Sequence, residues 1–194
     1  MLVDITCPTI SNCIYQDECY DLKPSASLTS SKHADSGWQW MAGNAELACL
    51  LISILRVIHP ELFRMGMEGM KKLQTHSTFS HIYRFWWSIY TGVQVISNRE
   101  SPVHRDHSSS SEWYDLLTTV GPYSDAVLEL PGVGLRLQYN SGTVMALCGH
   151  LLRHGVSKAD GERICLAYYM RENVQRRLRV TFATWSKWNK ILHV

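Results

Sequence analysis

Residues 114–148 read YDLLTTVGPYSDAVLELPGVGLRLQYNSGTVMALC. Four short runs rich in Leu, Val and Thr are cut apart by Gly121-Pro122, Pro131-Gly132 and Asn140-Ser141-Gly142. Runs of this length are too short for stable helices, and the Gly and Pro pairs supply the dihedral angles that tight turns need. The same texture continues on both sides. FWWSIYTGVQVIS (85–97) precedes the stretch and RICLAYYM (163–170) follows it, with Asn98-Arg99 and Asp160-Gly161 as further turn signals. Many short strands at this spacing predict a β-sandwich or barrel.

Upstream the period changes. AELACLLISILRVI (45–58) has apolar residues on most faces, which predicts a largely buried helix with Asn44 as its N-cap. His59-Pro60 ends it, and Pro60 suits the first turn of a second helix, PELFRMGMEGMKKLQ. Its Leu62, Met65, Met67, Met70 and Leu73 fall at core spacing. Residues 1–41, with the Ser-rich stretch PSASLTSSKHADSG, read as an irregular extension pinned by Trp38 and Trp40. The class is therefore α+β. One domain of 194 residues divides into an irregular and helical part (1–80), a β-rich core (81–175) and a basic tail (176–194).

Composition narrows the function classes. The chain is 45% hydrophobic with a formal charge of +2, so the global charge does not announce a polyanionic partner. The last quarter is locally basic, with Arg153, Lys158, Arg163, Arg171, Arg176, Arg177, Arg179, Lys187 and Lys190 against Asp160, Glu162 and Glu172. Cys7, Cys13, Cys19, Cys49, Cys148 and Cys165 form no C-x-x-C pair, which disfavours a zinc site or disulfide framework. MLVDITCPTI lacks a basic, then apolar, leader pattern, and Leu47 to Leu55 is too short to span a bilayer. A soluble, intracellular protein is expected.

The chemistry concentrates in SNRESPVHRDHSSSS (97–111). On a strand, His104 and Asp106 point to one face and present an imidazole beside a carboxylate. Non-haem iron(II) takes two histidines and one carboxylate and leaves positions open for oxygen and substrate. Alone, H-x-D more often marks a solvated turn. Further on, GHLLRHGVSKADGERICLAYYMREN carries His150, His154 and, nine positions beyond His154, Arg163 opening a strand. An arginine there suits a bidentate pair with a carboxylate, which lysine forms less well.

The order H-x-D, His, Arg resembles the signature of the 2-oxoglutarate/iron(II)-dependent dioxygenases. The resemblance implies a double-stranded β-helix (a jelly-roll or cupin-like barrel of eight core strands) with supporting N-terminal helices. It implies Fe(II) on His104, Asp106 and His154, the distal carboxylate of 2-oxoglutarate on Arg163, and O2 as oxidant. His150 competes as third ligand, but His154 precedes the Gly-Val step typical of these enzymes. His104-Arg105-Asp106-His107 and GERICLAYYMRENV further resemble the compact, fungal-type branch of the TET/JBP oxygenases. That likeness implies oxidation of a methyl group on a methylated base in DNA, 5-methylcytosine or N6-methyladenine, reached by base flipping. It also implies a nuclear location, a monomer, and a co-substrate contact from Arg99.

Strand parity from Arg163 sends Cys165, Ala167, Tyr169 and Arg171 to one face. Tyr169 then suits stacking on a base and Arg171 suits a base edge or phosphate, with Asn98 as a further polar group near the mouth. Core packing for Tyr169, a solvated strand end for Arg171 and a plain turn for Asn98 stand beside those readings. Ser108 to Ser111 form a mobile active-site loop or a linker, and Trp185 and Trp188 pack the tail. Two other functions stay open: hydroxylation of a protein side chain or small molecule by the same iron site, and a non-catalytic β-barrel binding module.

Overall fold

The computed structural model describes residues 3–4, 22, 34–80 and 82–187. Helices α1 (Ala34–Gly43), α2 (Ala45–Ile58) and α3 (Pro60–Thr75) come before the barrel, and α4 (Glu172–Arg177) follows it. The strands are β1 (Val3–Asp4), β2 (Gly92–Ser97), β3 (Ser101–His104), β4 (Asp115–Val120), β5 (Tyr123–Ser124), β6 (Val127–Leu130), β7 (Leu135–Gln138), β8 (Val144–Leu147), β9 (His154–Val156), β10 (Asp160–Gly161) and β11 (Ile164–Tyr169).

Every pairing is antiparallel. One sheet runs β1-β2-β11-β4-β8 and the other β3-β9-β6-β7, with β5 and β10 as a separate ribbon. Apart from the β6-β7 hairpin, neighbours in the sheets are far apart in sequence, so the chain crosses repeatedly between them. Leu117, Leu147 and Cys165 of one sheet pack with Leu130 and Leu137 of the other. Two facing antiparallel sheets of four interleaved core strands each, with β1 added at one edge, are the double-stranded β-helix.

The larger sheet is buried on both faces, and alternation assigns each face its job. Val93, Leu116, Leu166 and Tyr168 face outward and join Leu51, Leu55, Leu62, Met65 and Leu73 of α2 and α3 in one core. The alternate residues face the barrel interior. Burying the outer face on two helices fixes the register, because a one-residue slip would turn the whole apolar set inward.

The joint between α2 and α3 also reaches the barrel. His59 is fully buried. Its Nδ1 accepts a hydrogen bond from Leu62 N at 3.2 Å, capping α3, and its Nε2 donates to Glu112 O at 3.1 Å. A tautomer with the proton on Nε2 satisfies both, and burial pushes its pKa down. One imidazole thus ties the helical layer to the loop that carries Ser108 to Ser111.

Several local expectations need correction. Residues 34–41, expected to be irregular, belong to α1, and Trp38 packs on Phe85 at 5.1 Å between ring centroids. Asn44 is not a side-chain cap for α2; its amide donates to Trp40 O at 2.8 Å, closing the preceding helix. Nor is α2 buried all round: Leu50 and Val57 are more than half exposed, and Ala48, Leu51 and Leu55 make its buried stripe. The tail after α4 packs through Val180 and Ala183, while Trp185 is exposed. Trp113 Nε1 donates to Ala183 O at 3.1 Å and Ser186 Oγ to Ile58 O at 2.7 Å. Of the cysteines, Cys49 is exposed, and Cys148 and Cys165 are buried free thiols. Trp188, Lys190, the first three cysteines and most of the Ser-rich stretch lie outside the described residues.

Candidate active site

β3 ends on His104 and β9 begins on His154, and the two residues are paired across the smaller sheet. Their rings lie 4.4 Å apart. Asp106 sits just beyond β3, where its backbone N–H donates to Gly149 O at 3.0 Å. That bond turns its carboxylate between the imidazoles, with Oδ1 3.6 Å from His104 Nε2 and Oδ2 3.5 Å from His154 Nε2. One atom from each residue lies within 4.8 Å of the others.

The second ligand shell is complete. His104 Nδ1 donates to Pro102 O at 2.7 Å and His154 Nδ1 donates to Leu152 O at 3.1 Å. A carbonyl can only accept, so both protons sit on Nδ1 and both Nε2 lone pairs converge on the carboxylate. Burial pushes the His154 pKa down, which keeps its imidazole neutral, the form that binds a metal. Gly149 gives the carboxylate room: a Cβ there would stand 2.4 Å from Asp106 Oδ2. The donor set, the tautomers and the spacing fit a two-histidine, one-carboxylate iron site. His150 is not a member of this cluster; its ring stands edge-on to His107, 6.4 Å away.

Arg163 is 2% exposed, just before β11. Its backbone is held on both sides by Asn98, whose N–H donates to Arg163 O at 2.8 Å and whose Oδ1 accepts from Arg163 N at 2.7 Å. Asn98 adopts φ of 49°, a left-handed conformation that asparagine tolerates better than most residues. The guanidinium Nε donates to Thr119 Oγ1 at 3.1 Å, and the group lies 5.2 Å from the centroid of Tyr139. Thr119 engages Nε and the Cys165 thiol also hydrogen-bonds the side chain, so the planar fork is held in a fixed orientation.

A cavity of about 190 Å³ joins these parts. Its lining includes His104, Asp106, His154 and Arg163, and along β11 and its end Cys165, Ala167, Tyr169 and Arg171. The register puts Cys165 opposite Thr119 and Ala167 opposite Leu117 on β4, and Ala167 opposite Gln94 on β2. Arg163 lies at one end of this row and Arg171 at the other. Tyr169 leans over Gly92, where an added Cβ would lie 2.7 Å from the ring. Asn98 and Arg99 line a different cleft of about 300 Å³, with Lys158, Asp160 and Glu162. Asn98 bonds Glu162 and the Arg163 backbone, so it positions Arg163 and does not line the cavity that the His-Asp-His cluster borders.

The family model described as the oxygenase domain of the 2OGFeDO superfamily, Tet_JBP, matches residues 11–172. The chain belongs to the Tet_JBP family. This Tet_JBP protein is accordingly an oxidoreductase, a dioxygenase that uses Fe(II), 2-oxoglutarate and O2. Among solved structures, NgTET1 in complex with 5mC DNA matches with a TM-score of 0.58 and 15% identity, over 89% of this chain and 62% of that one. The chain thus spans less than two thirds of that structure, and the likeness is one of fold. A Cupin 2 conserved barrel domain protein from Salinispora arenicola matches over 45% of this chain and 68% of its own, at 14% identity and a TM-score of 0.29. No curated protein matches the chain.

The sequence reading missed several groups of the Tet_JBP cavity. Asp115 is 3% exposed and lines it; burial and the nearby Asp106 charge push its pKa well up. Ser109 Oγ lies 3.4 Å from Asp115 Oδ1, and Glu172 N donates to Ser108 O at 2.9 Å. The serine loop is therefore tied to the end of β11 and is neither a linker nor detached from the site. Thr119 and Tyr139 flank Arg163. Alternation along DLLTTV offered a signal: Asp115, Leu117 and Thr119 share the parity that faces Cys165 and Ala167.

Proposed function

We propose that this dioxygenase oxidises the methyl group of a methylated base in DNA, 5-methylcytosine or N6-methyladenine, after the base is flipped into the cavity. The observation that carries the reading is one cavity lined by the His-Asp-His cluster, by Arg163 at the start of β11 and by Tyr169 and Arg171 at its other end. The match of the fold to a TET structure described in complex with 5mC DNA supports the substrate class.

His104, Asp106 and His154 are the residues that would hold iron. When bound, iron with 2-oxoglutarate and O2 supplies the oxidant for a C–H bond. The chain's own groups do the rest. Arg163, anchored through Nε on Thr119, grips the distal carboxylate and so fixes the co-substrate's orientation. Cys165 and Ala167 are small enough to leave space beside it. Tyr169 offers a ring face for stacking, worth roughly 1–3 kcal/mol per base. Arg171, 5.4 Å from that ring's centroid, offers N–H donors to the base or its phosphate. Outside the cavity, exposed Arg105 and Arg153 sit next to the ligands in sequence and suit backbone phosphates. A DNA substrate implies a nuclear location, and a single cavity built by one chain is consistent with a monomer.

Incubation with iron(II), 2-oxoglutarate and oligonucleotides carrying 5-methylcytosine or N6-methyladenine, read by mass spectrometry, tests the reading. Hydroxymethyl product or demethylated adenine is expected, lost in His154→Ala and retained in His150→Ala. Turnover of 2-oxoglutarate without methyl oxidation on any oligonucleotide would promote the other enzyme reading, hydroxylation of a protein side chain or small molecule.

A further inference from the structure

Cross-strand pairing lays out one wall of the cavity as three rows. β11 lies between β2 and β4, and residues directly opposite each other share a face. The first row is Ile96, Cys165 and Thr119, and the second is Gln94, Ala167 and Leu117. The third is Gly92 and Tyr169, with Asp115 level with them. Arg163 reaches into the first row: its Nε donates to Thr119 Oγ1 at 3.1 Å, and the Cys165 thiol hydrogen-bonds the same side chain. The third row adjoins the His-Asp-His cluster, because a Cβ on Gly149 would stand 2.4 Å from Asp106 Oδ2 and 2.9 Å from Asp115 Oδ2.

The second row therefore bridges the arginine and the cluster. Ala167 is small and Leu117 apolar, so Gln94 is the polar group of that row. Gln94 is half-buried and lines the cavity, and its amide has no hydrogen-bond partner among the described residues. 2-Oxoglutarate is a five-carbon chain with a carboxylate at each end. Two residues of antiparallel strand cover about 7 Å, a length that such a chain spans with its carboxylates when extended. With one carboxylate on Arg163 in the first row, the other falls at the second. A carboxylate has two oxygens, so one bond to a metal leaves an oxygen that needs a donor once out of water. Arg99 lines the separate cleft with Asn98 and Lys158. Ser108 and Ser109 are held at the third row, by Glu172 N and beside Asp115 Oδ1.

We propose that Gln94 is a second co-substrate residue, its amide N–H donating to the C1 carboxylate of 2-oxoglutarate while Arg163 holds the C5 carboxylate. This role rests on Arg163 as the anchor and is independent of which methyl group the enzyme oxidises. A neutral amide suits the position. It donates to the carboxylate without setting a second positive charge beside the residues that would hold iron.

Anaerobic titrations of the iron(II)-loaded protein test this, with competition against 2-oxoglutarate for the weaker ligands. 2-Oxopentanoate carries a methyl group in place of the C5 carboxylate, and 4-oxopentanoate carries one in place of the C1 carboxylate. Gln94→Met is close in size but has no donor. Its affinity for 2-oxoglutarate and for 2-oxopentanoate should each fall roughly 10–100-fold, the loss of one hydrogen bond to a charged group. 4-Oxopentanoate leaves Gln94 nothing to hold, so its affinity should stay at the wild-type value. Arg163→Lys should show the opposite pattern, weakening 2-oxoglutarate and 4-oxopentanoate and sparing 2-oxopentanoate. Gln94→Glu keeps the shape and sets one carboxylate against another, so it should bind 2-oxoglutarate more weakly still; it decides alone should the methionine variant not fold. Iron(II) affinity without co-substrate should match wild type in Gln94→Met. Unchanged 2-oxoglutarate binding in the Gln94 variants would overturn the role and leave Arg163 in place. Equal losses on all three ligands, the mark of a loosened barrel, would overturn it too. So would a loss confined to Ser101→Ala, which would move the contact to β3 on the facing sheet. Wild-type binding of every ligand by Arg163→Lys would remove the anchor and the role of Gln94 together.

Discussion

At the scale of single residues, two groups carry sharp consequences. Arg163 keeps its Nε on Thr119 and its face toward Tyr139, which holds its planar fork in the orientation the proposed co-substrate contact needs. Arg163→Lys retains charge but not the fork, and Thr119→Val frees Nε. A hydrogen bond to a charged group is worth about 1.5–3 kcal/mol, so the apparent KM for 2-oxoglutarate should rise roughly tenfold or more in Arg163→Lys. Thr119→Val should raise it less. A co-substrate titration that superimposes Arg163→Lys on wild type would remove Arg163 from that role. Gly149 is the second case. A Cβ there would meet Asp106 Oδ2 at 2.4 Å and Asp115 Oδ2 at 2.9 Å, and the only cheap escape is to swing the carboxylates away. Gly149→Ala should therefore keep the fold and weaken iron(II) binding by about 10–100-fold, the cost typical of disturbing a ligand's support. Calorimetric iron titration checks it, and unchanged affinity would mean that the carboxylate has room to spare.

At the scale of elements, what was legible in the sequence had local causes. The strands of 114–148, the two helices joined at His59-Pro60 and the shared parity of Arg163, Cys165, Ala167, Tyr169 and Arg171 all follow from period and turn chemistry within a few residues. The candidate ligand triplet stood out because the histidines and aspartate stand in a recognisable order, and the fold brings the three side chains together. What escaped depends on distant pairing. Asp115 is the second residue of YDLLTTV and looks like a polar strand boundary; only the long-range pairing of β4 with β11 buries it beside the cavity. His59 looks like a helix stop because its acceptor, Glu112 O, lies 53 positions on. That histidine carries a stability prediction. Its pKa is lowered in the fold from 6.5, chiefly by burial, so the unfolded chain binds the extra proton. The contribution is then fully present above pH 6.5 and is lost as pH falls through that value toward the folded pKa. His59→Asn can still cap α3 but is too short to reach Glu112, so it should cost about 1 kcal/mol at neutral pH. It should also flatten the fall in stability between about pH 7.5 and 5.5. Urea midpoints at several pH values decide this; parallel wild-type and variant slopes would exclude His59 as the group responsible.

For the whole molecule, the proposed DNA substrate raises the question of how a chain with a net charge of only +2 would engage a polyanion. A global field is too weak to do it, so the attraction must come from where cations stand. The basic C-terminal quarter is not uniformly available. Arg176 pairs with Glu172 on α4, and Arg163 is buried with its Nε on Thr119. Arg105 and Arg153 are exposed and adjoin the clustered His104, Asp106 and His154 in sequence. On the proposed DNA reading, a duplex delivering a flipped base to the cavity would bring its backbone past these loops, which makes them the phosphate contacts to test. Each phosphate neutralised releases condensed counterions, and log K should fall with log salt by about 0.9 per contact on duplex DNA. Binding should therefore weaken steeply with salt for methylated and unmethylated duplex alike. Arg105→Ala and Arg153→Ala should each reduce the salt slope by about 1 and weaken all sequences similarly. Arg176→Ala, which removes a charge already paired, should move the slope much less. Fluorescence anisotropy over a salt series measures all three. Equal slopes for Arg105→Ala, Arg153→Ala and wild type would show that the ligand-bearing loops do not meet the backbone. A larger effect from Arg176→Ala would move the DNA path to α4, away from the mouth where Tyr169 and Arg171 lie.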